Sequence, residues 1–587
     1  MKKFFTVVLG SFVGAWLAMM VSSVLSIILS FAMMGMMSNM SGGKASISDN
    51  SILVVDLSEV ITDRGISNDD MMSLVMGDFT NSISLKDAVA AIKAAKTDKN
   101  IKGMYIACNG SANGVTTLYE LRKAIVDFKE SDKFVYAYGY EGIAQSDYFL
   151  ASAADSIFVN PEASVDIHGL ASQNLFFKNL LDKLGIEMQV LRVGTFKSAV
   201  EPFMLTEISE ANRMQQQHYL GSIWQSMLDL MSESRHMKAA EMNALADSML
   251  VAKDVTYLLN HKIVDGVCYM PEMENKLKAL TCGEDGDLNL VSLADMPVKD
   301  KLKGDKEIAI VYAEGEIDGS KDEGIISEEL VETIMNLADE DDVAAMVLRV
   351  NSPGGSAFGS EQIWKAVEEF KASGKKVVVS MGDYAASGGY YISCGADCIF
   401  AQPTTLTGSI GIFGMIPCFE NLATDKLGIT QNVVATNANG GFGSALSRMT
   451  DQQRDAMQAM VNRGYELFTK RCADGRGVSQ DSIKAIAEGR VWDGASALKL
   501  GLVDKIGGLN DAIATAAEMA KCTGKYNIAE YPENKTRWER MLEKYAMARY
   551  EANMRSEFGE LYDYQKAAKQ ILSRDHVLCL MEPFVIK

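Results

Sequence analysis

The feature that most constrains this chain is its likeness to itself. When GMYIACNGSANG, from Gly103, is set against AMVLRVNSPGGS, from Ala345, Met104 meets Met346 and Asn109 meets Asn351, a displacement of 242 residues. The same displacement pairs Lys123, Ala124, Phe128 and Lys129 with Lys365, Ala366, Phe370 and Lys371. It goes on to pair Tyr148 with Tyr390, Asp155 with Asp397, Phe158 with Phe400 and Pro161 with Pro403. One residue is then inserted, and DKLGI recurs at 182–186 and 425–429. Register kept this long is duplication, so the chain must fold as two copies of one unit.

Each copy reads as strands alternating with helices. A β-branched run (SILVVDL from Ser51; EIAIVYAEGEI from Glu307) precedes an amphipathic helix, a buried strand (GMYIAC; AAMVLRV), a second helix and a third strand (KFVYAYG; KKVVVSMG). That order predicts an α/β fold of stacked βαβ units, with a parallel sheet in each copy and helices outside. The copies are assigned to residues 46–270 and 307–525. Residues 271–306, broken up by Gly, Asp and Lys, read as a linker, and 526–587, charged and helix-favouring, as a helical tail.

Residues 4–43 contain no Asp, Glu, Lys or Arg, while Lys2 and Lys3 stand just before them. About 20 apolar residues cross a bilayer, so residues 1–45 are expected to form one transmembrane helix. The leading lysines keep its N-terminus cytoplasmic and put the rest of the chain outside, on the extracytoplasmic side of the membrane. A cleaved signal peptide is the alternative, but its apolar core runs only about 7–15 residues. The net charge of −20 argues against a broad phosphate-binding surface, so no nucleic-acid partner is expected. Nine scattered cysteines without a CxxC pair suit neither a disulfide framework nor a zinc site, and Cys394 and Cys398 read as small buried filler. With no phosphate loop or metal-ligand cluster, no cofactor or metal is expected.

Duplication supplies an internal control, because positions that hold structure should match while working positions can diverge. After the third strand the second copy reads MGDYAASGGYYIS where the first reads YGYEGIAQSDYFL, so Ser387 faces Gln145. A serine at a strand-to-helix junction among Ala385, Ala386, Gly388 and Gly389 has an uncrowded hydroxyl at a helix start, which suits a nucleophile. The N–H of Gly388 is then a natural oxyanion donor. The second divergence runs the other way, because RVGTFKSAVEPF places Lys197 opposite Gly440. A hydroxyl needs a base, and a lysine beside Phe196, Ala199 and Val200 can serve if desolvation lowers its pKa. A Ser–Lys dyad assembled across the two copies follows. NSPGGS, at 351–356, offers Gly355 as second oxyanion donor, with Gly354 next in line. Ser409 in TGSIGIFG can orient the lysine and is also the rival nucleophile; the helix-start argument favours Ser387. None of the five histidines lies between residues 262 and 575, which excludes a Ser-His-Asp triad local to the second copy. His168, aligned with Ile410, is the weaker alternative base.

YAASGGYYIS, RVNSPGGS, LTGSIGIFG and RVGTFKSAVEPF, in that arrangement, resemble peptidase family S49, in its long, duplicated signal peptide peptidase A (protease IV) form. The resemblance runs from the anchor to about residue 520. It implies a ClpP/crotonase-like fold and a serine endopeptidase, with Ser387 as nucleophile, Lys197 as general base, Ser409 bonded to the lysine, and Gly355 and Gly388 as the oxyanion hole. It also implies a membrane-anchored homotetramer acting on signal peptides and other apolar peptides. The alternatives are a crotonase-like acyl-CoA enzyme, which shares the glycine-rich oxyanion turns, and a catalytically inactive membrane scaffold.

Overall fold

The computed structural model describes residues 47–65, 82–283, 286–298, 304–319, 324–532, 549 and 577–581. The predicted transmembrane segment, residues 1–45, lies outside them. Among the described residues no helix is long and apolar enough to cross a membrane.

The two halves build one sheet twice. In the first, parallel strands run in the order Gly266–Val267, Ser156–Val159, Phe134–Gly139, Ile101–Ala107, Ser51–Asp56 and Asn289–Ser292. In the second, eight-stranded sheet, six strands in the order Lys505–Ile506, Cys398–Ala401, Lys376–Ala386, Val343–Ser352, Lys306–Glu314 and Tyr526–Tyr531 repeat it, while Leu406–Gly408 and, antiparallel to that, Val491–Asp493 branch from Lys376–Ala386. The displacement of 242 carries the first residue of each central strand onto its counterpart: Ile101 onto Val343, Phe134 onto Lys376, Ser156 onto Cys398. It does the same for the helices Leu85–Thr97 and Val115–Lys129, which map onto Ser327–Asp339 and Ala357–Ala372.

Each sheet is covered on both faces, and for that reason its strands are apolar throughout rather than alternating. Along Lys306–Glu314, Ile308 and Ile310 pack with Leu509, Ala512 and Ile513 of the helix Leu509–Met519. Their neighbours Ala309 and Val311 point the other way, into a cluster with Leu330, Ile334 and Phe370. The strand period of two thus feeds two separate layers. A buried ion cluster joins the halves. Arg349, on the central strand of the second sheet, bonds Asp63 through Nε (2.7 Å) and approaches Glu120 (3.5 Å), both from the first half.

Two boundaries differ from the sequence reading. The expected linker, 271–306, holds the helix Met270–Leu280 and the edge strand Asn289–Ser292, which correspond to Leu509–Met519 and Tyr526–Tyr531 and complete the first unit. Both are muted signals, since the helix buries only Met273 and Leu277 and the edge strand is half exposed. The expected helical tail begins with the strand Tyr526–Tyr531 and, near its end, contains another, Val577–Leu580. All but Arg549 of the charged stretch at 533–576 lies outside the described residues.

A third, antiparallel sheet clasps the halves together. Its order is Gly354–Ser356, Val577–Leu580, Phe413–Cys418 and Glu187–Arg192, and Phe413 of the second half pairs with Arg192 of the first. Glu187–Arg192 ends five residues before Lys197, and Phe413–Cys418 begins four residues after Ser409. Their pairing therefore sets the distance between those two side chains.

Candidate active site

The strand Lys376–Ala386 stops at Ser387, and the six-residue helix Gly388–Ser393 starts directly after it. Ser387 has φ 55° and ψ −112°, a conformation a residue with a Cβ adopts only when its surroundings impose it, at a cost of about 1–3 kcal/mol. The surroundings are on both sides: the Ser387 N–H donates to Gly408 O (2.8 Å), and the Ser387 carbonyl accepts from Tyr391 N–H (2.8 Å). Paired in this way, the backbone turns the hydroxyl out of the sheet plane toward the loop that carries Lys197.

Lys197 comes from the first half. Its Nζ lies 2.7 Å from Ser387 Oγ and 3.0 Å from both the carbonyl and hydroxyl oxygens of Ser409. A neutral amine has two N–H donors and one lone pair, and three partners are what it can use. The two N–H groups donate to the Ser409 oxygens, which leaves the lone pair facing the Ser387 hydroxyl. Lys197 is 1% exposed and Ser387 0%. Burial pulls the lysine ammonium down to about 7, outweighing the opposing influence of the nearby Cys579. Near neutral pH the site thus holds a base in hydrogen-bond contact with a hydroxyl.

Lys197 is held by residues that the sequence reading did not single out. Gly489 has φ +79°, and a Cβ there would lie 2.6 Å from Lys197 Cβ and 2.7 Å from its Cα and N, so only glycine admits the lysine backbone. Gln215 donates to Phe196 O (3.1 Å) and Ser198 Oγ (3.2 Å), gripping both neighbours of the lysine, while its Oε1 accepts from Val491 N–H. Glu201, in the EPF stretch, accepts from Ser209 Oγ (2.5 Å) and Asn212 Nδ2 (3.2 Å). No local pattern marks Gly489 or Gln215, because each acts on a residue far away in sequence.

Of the other predicted residues, Ser409 bonds the lysine and sits at φ 50°, while the glycines of NSPGGS line the same spot. Gly354 has φ +103°, and a Cβ on it would lie 2.6 Å from Gly388 N. Gly354 O accepts from Ile317 N–H (2.9 Å), and Ser356 N–H donates to Ile317 O (2.8 Å), which fixes the loop with Gly355 between them. His168 is elsewhere: its Nδ1 is 2.9 Å from Asp166, and its backbone N–H donates to Gln145, the residue matching Ser387. All nine cysteines are free thiols, Cys394 and Cys398 among the buried ones. Among the described residues no group of His, Cys, Asp or Glu is arranged to hold a metal ion.

Comparison with known proteins agrees with the duplicated architecture. The model of "Peptidase family S49" matches residues 127–279 and 369–523, two regions that start 242 residues apart. A relative named Protease 4 from Haemophilus influenzae is 37% identical over 500 residues, spanning 82% of this chain and 81% of its own. Protease 4 of Salmonella typhi is 37% identical over 489 residues, spanning 80% and 78%. Among solved structures, a mutant of ClpP1 from Listeria monocytogenes covers 35% of this chain and 94% of its own, at 17% identity and a TM-score of 0.24. The fold assignment rests on the strand order above, not on that overlap.

Proposed function

The chain belongs to peptidase family S49 and is a serine protease, and on that premise we propose that Ser387 is its nucleophile and Lys197 its general base. The 2.7 Å contact between Lys197 Nζ and Ser387 Oγ, in a site dry enough to keep the amine neutral, carries this reading. Ser387 Oγ attacks the scissile carbonyl as its proton passes to Lys197 Nζ, and the resulting ammonium donates that proton to the leaving amine. The N–H groups of Gly355 and Gly388 hold the oxyanion, worth about 3–4 kcal/mol per donor in comparable sites. Water, activated by the same amine, then releases the acyl group. Ser409 keeps the lysine's two N–H bonds occupied, so that the lone pair stays on the serine.

The substrates in this reading are apolar peptides, cleaved signal peptides first among them. One relative, from Enterococcus faecium, bears the name putative signal peptide peptidase SppA, and Ala199 and Val200, two and three residues after Lys197, pack with Phe413 in an apolar cluster. Residues 4–43, free of charge, would anchor the chain in the inner membrane with both halves on the periplasmic side. There it would assemble as a homotetramer with a ClpP/crotonase-like fold in each half. Purified Ser387→Ala and Lys197→Ala proteins should each lose cleavage of an apolar fluorogenic peptide by at least about a thousandfold. Cleavage at the wild-type rate by either variant overturns the dyad.

A further inference from the structure

A piece of the chain itself lies beside the buried dyad. Val577–Leu580 lies antiparallel to Gly354–Ser356 on one side and to Phe413–Cys418 on the other, filling a slot between two strand edges. Such paired free edges are how an extended peptide is taken up by main-chain hydrogen bonds. Met581 N–H donates to Pro353 O at 2.8 Å, and the antiparallel ladder repeats every second residue. The next hydrogen-bonded pair is therefore Cys579 with Gly355, which directs the Cys579 carbonyl at the Gly355 N–H. That same oxygen sits 2.0 Å from where a Gly354 Cβ would be and 3.1 Å from where a Gly388 Cβ would be. It thus occupies the corner between the two donors assigned to the oxyanion. Leu578 packs with Ala199, Val200 and Phe413, the apolar wall beside Lys197, and Cys579 is itself 0% exposed.

We propose that the C-terminal segment Val577–Met581 is a built-in competitor for the peptide cleft, bound in the position and direction of a substrate with Cys579 at the residue whose carbonyl would be attacked. The inference rests on the dyad reading above, since it takes Gly355 and Gly388 as the oxyanion donors. The segment's side chains, VLCLM, are all apolar, the chemistry assigned to the substrates. The 44 residues between Pro532 and Val577 would span about 145 Å fully extended, so chain length alone does not hold the strand in the slot. A tethered strand at an effective concentration of about 1 mM, binding as an isolated peptide at about 0.1 mM, would hold the cleft closed about ten to one. Substrates would then have to displace it.

The test uses the full chain, Leu578→Asp in the full chain, and a chain ending at residue 576. It reads the rate at which a fluorophosphonate labels Ser387 together with kcat/KM for an apolar peptide. Both should rise about tenfold in the two variants. Added acetyl-VLCLM-amide should slow labelling of the shortened chain, with less effect on the intact one. Rates equal to wild type in folded variants overturn the proposal, as does loss of the cooperative thermal transition in both variants, which would make the strand a structural part of the sheet. Absence of Ser387 labelling in every protein would instead condemn the dyad, so the two failures are told apart.

Discussion

Replacing Lys197 with methionine should expose how much the fold gives up to keep an amine in a dry site. A lysine that titrates at about 7 when folded and near 10.5 when unfolded binds fewer protons in the native state across that interval. Its penalty is greatest below about pH 7 and gone above about 10.5, so native stability rises with pH between those limits. Each tenfold loss of proton affinity on folding costs about 1.4 kcal/mol, which makes the penalty about 4 kcal/mol at pH 7 and about 2 kcal/mol at pH 9. Methionine has similar length and no charge, so it removes the penalty. It also removes three hydrogen bonds, to Ser387 Oγ, Ser409 O and Ser409 Oγ, worth about 1 kcal/mol each. The two effects nearly cancel at neutral pH, but only the first depends on pH. Urea unfolding of wild type and Lys197→Met at pH 7 and 9 should therefore show the variant's stability relative to wild type falling by about 2 kcal/mol between the two. A difference constant to within about 0.5 kcal/mol would mean that Lys197 does not titrate near 7 in the folded protein.

Three other substitutions separate the parts of the site. Ser409→Ala leaves one Lys197 N–H without its acceptor and frees the amine to rotate, so kcat should fall about tenfold with KM within about twofold, measured by steady-state cleavage. Gly489→Ala forces a Cβ against the Lys197 backbone at a φ of +79°. Cleavage should drop more than about tenfold while the circular dichroism spectrum is kept. Arg349→Met leaves Asp63 and Glu120 buried without their cation, and denaturant unfolding should show a loss of about 3–5 kcal/mol, with Ser387 labelling intact in the folded fraction.

The duplication was legible because the central strands and helices of both halves keep one displacement, so the sheet order of either half could be read from the other. Ser387 and Lys197 stood out for the complementary reason: each is the copy that diverges, from Gln145 and from Gly440, and the clasp between Glu187–Arg192 and Phe413–Cys418 brings the two divergent positions together. Edge elements were not legible. Asn289–Ser292 and Tyr526–Tyr531 pair on one side only and show no alternating pattern, so their polar surroundings read as linker and tail. Val577–Leu580 was hidden more deeply, since all its partners lie more than 150 residues away in the chain. Gly489 and Gln215 act the same way, through contacts with the Lys197 loop that no neighbouring residue announces.

The central claim, that one base from the first half activates one serine in the second, is tested most directly by the pH dependence of Ser387 acylation. A β-lactone should modify the peptide containing Ser387, identified by mass spectrometry. Its rate should climb about tenfold per pH unit below pH 7 and level off above it. In Lys197→Ala that rise should vanish along with most of the rate. Modification of Ser409 instead, or an unchanged profile in Lys197→Ala, would contradict the dyad.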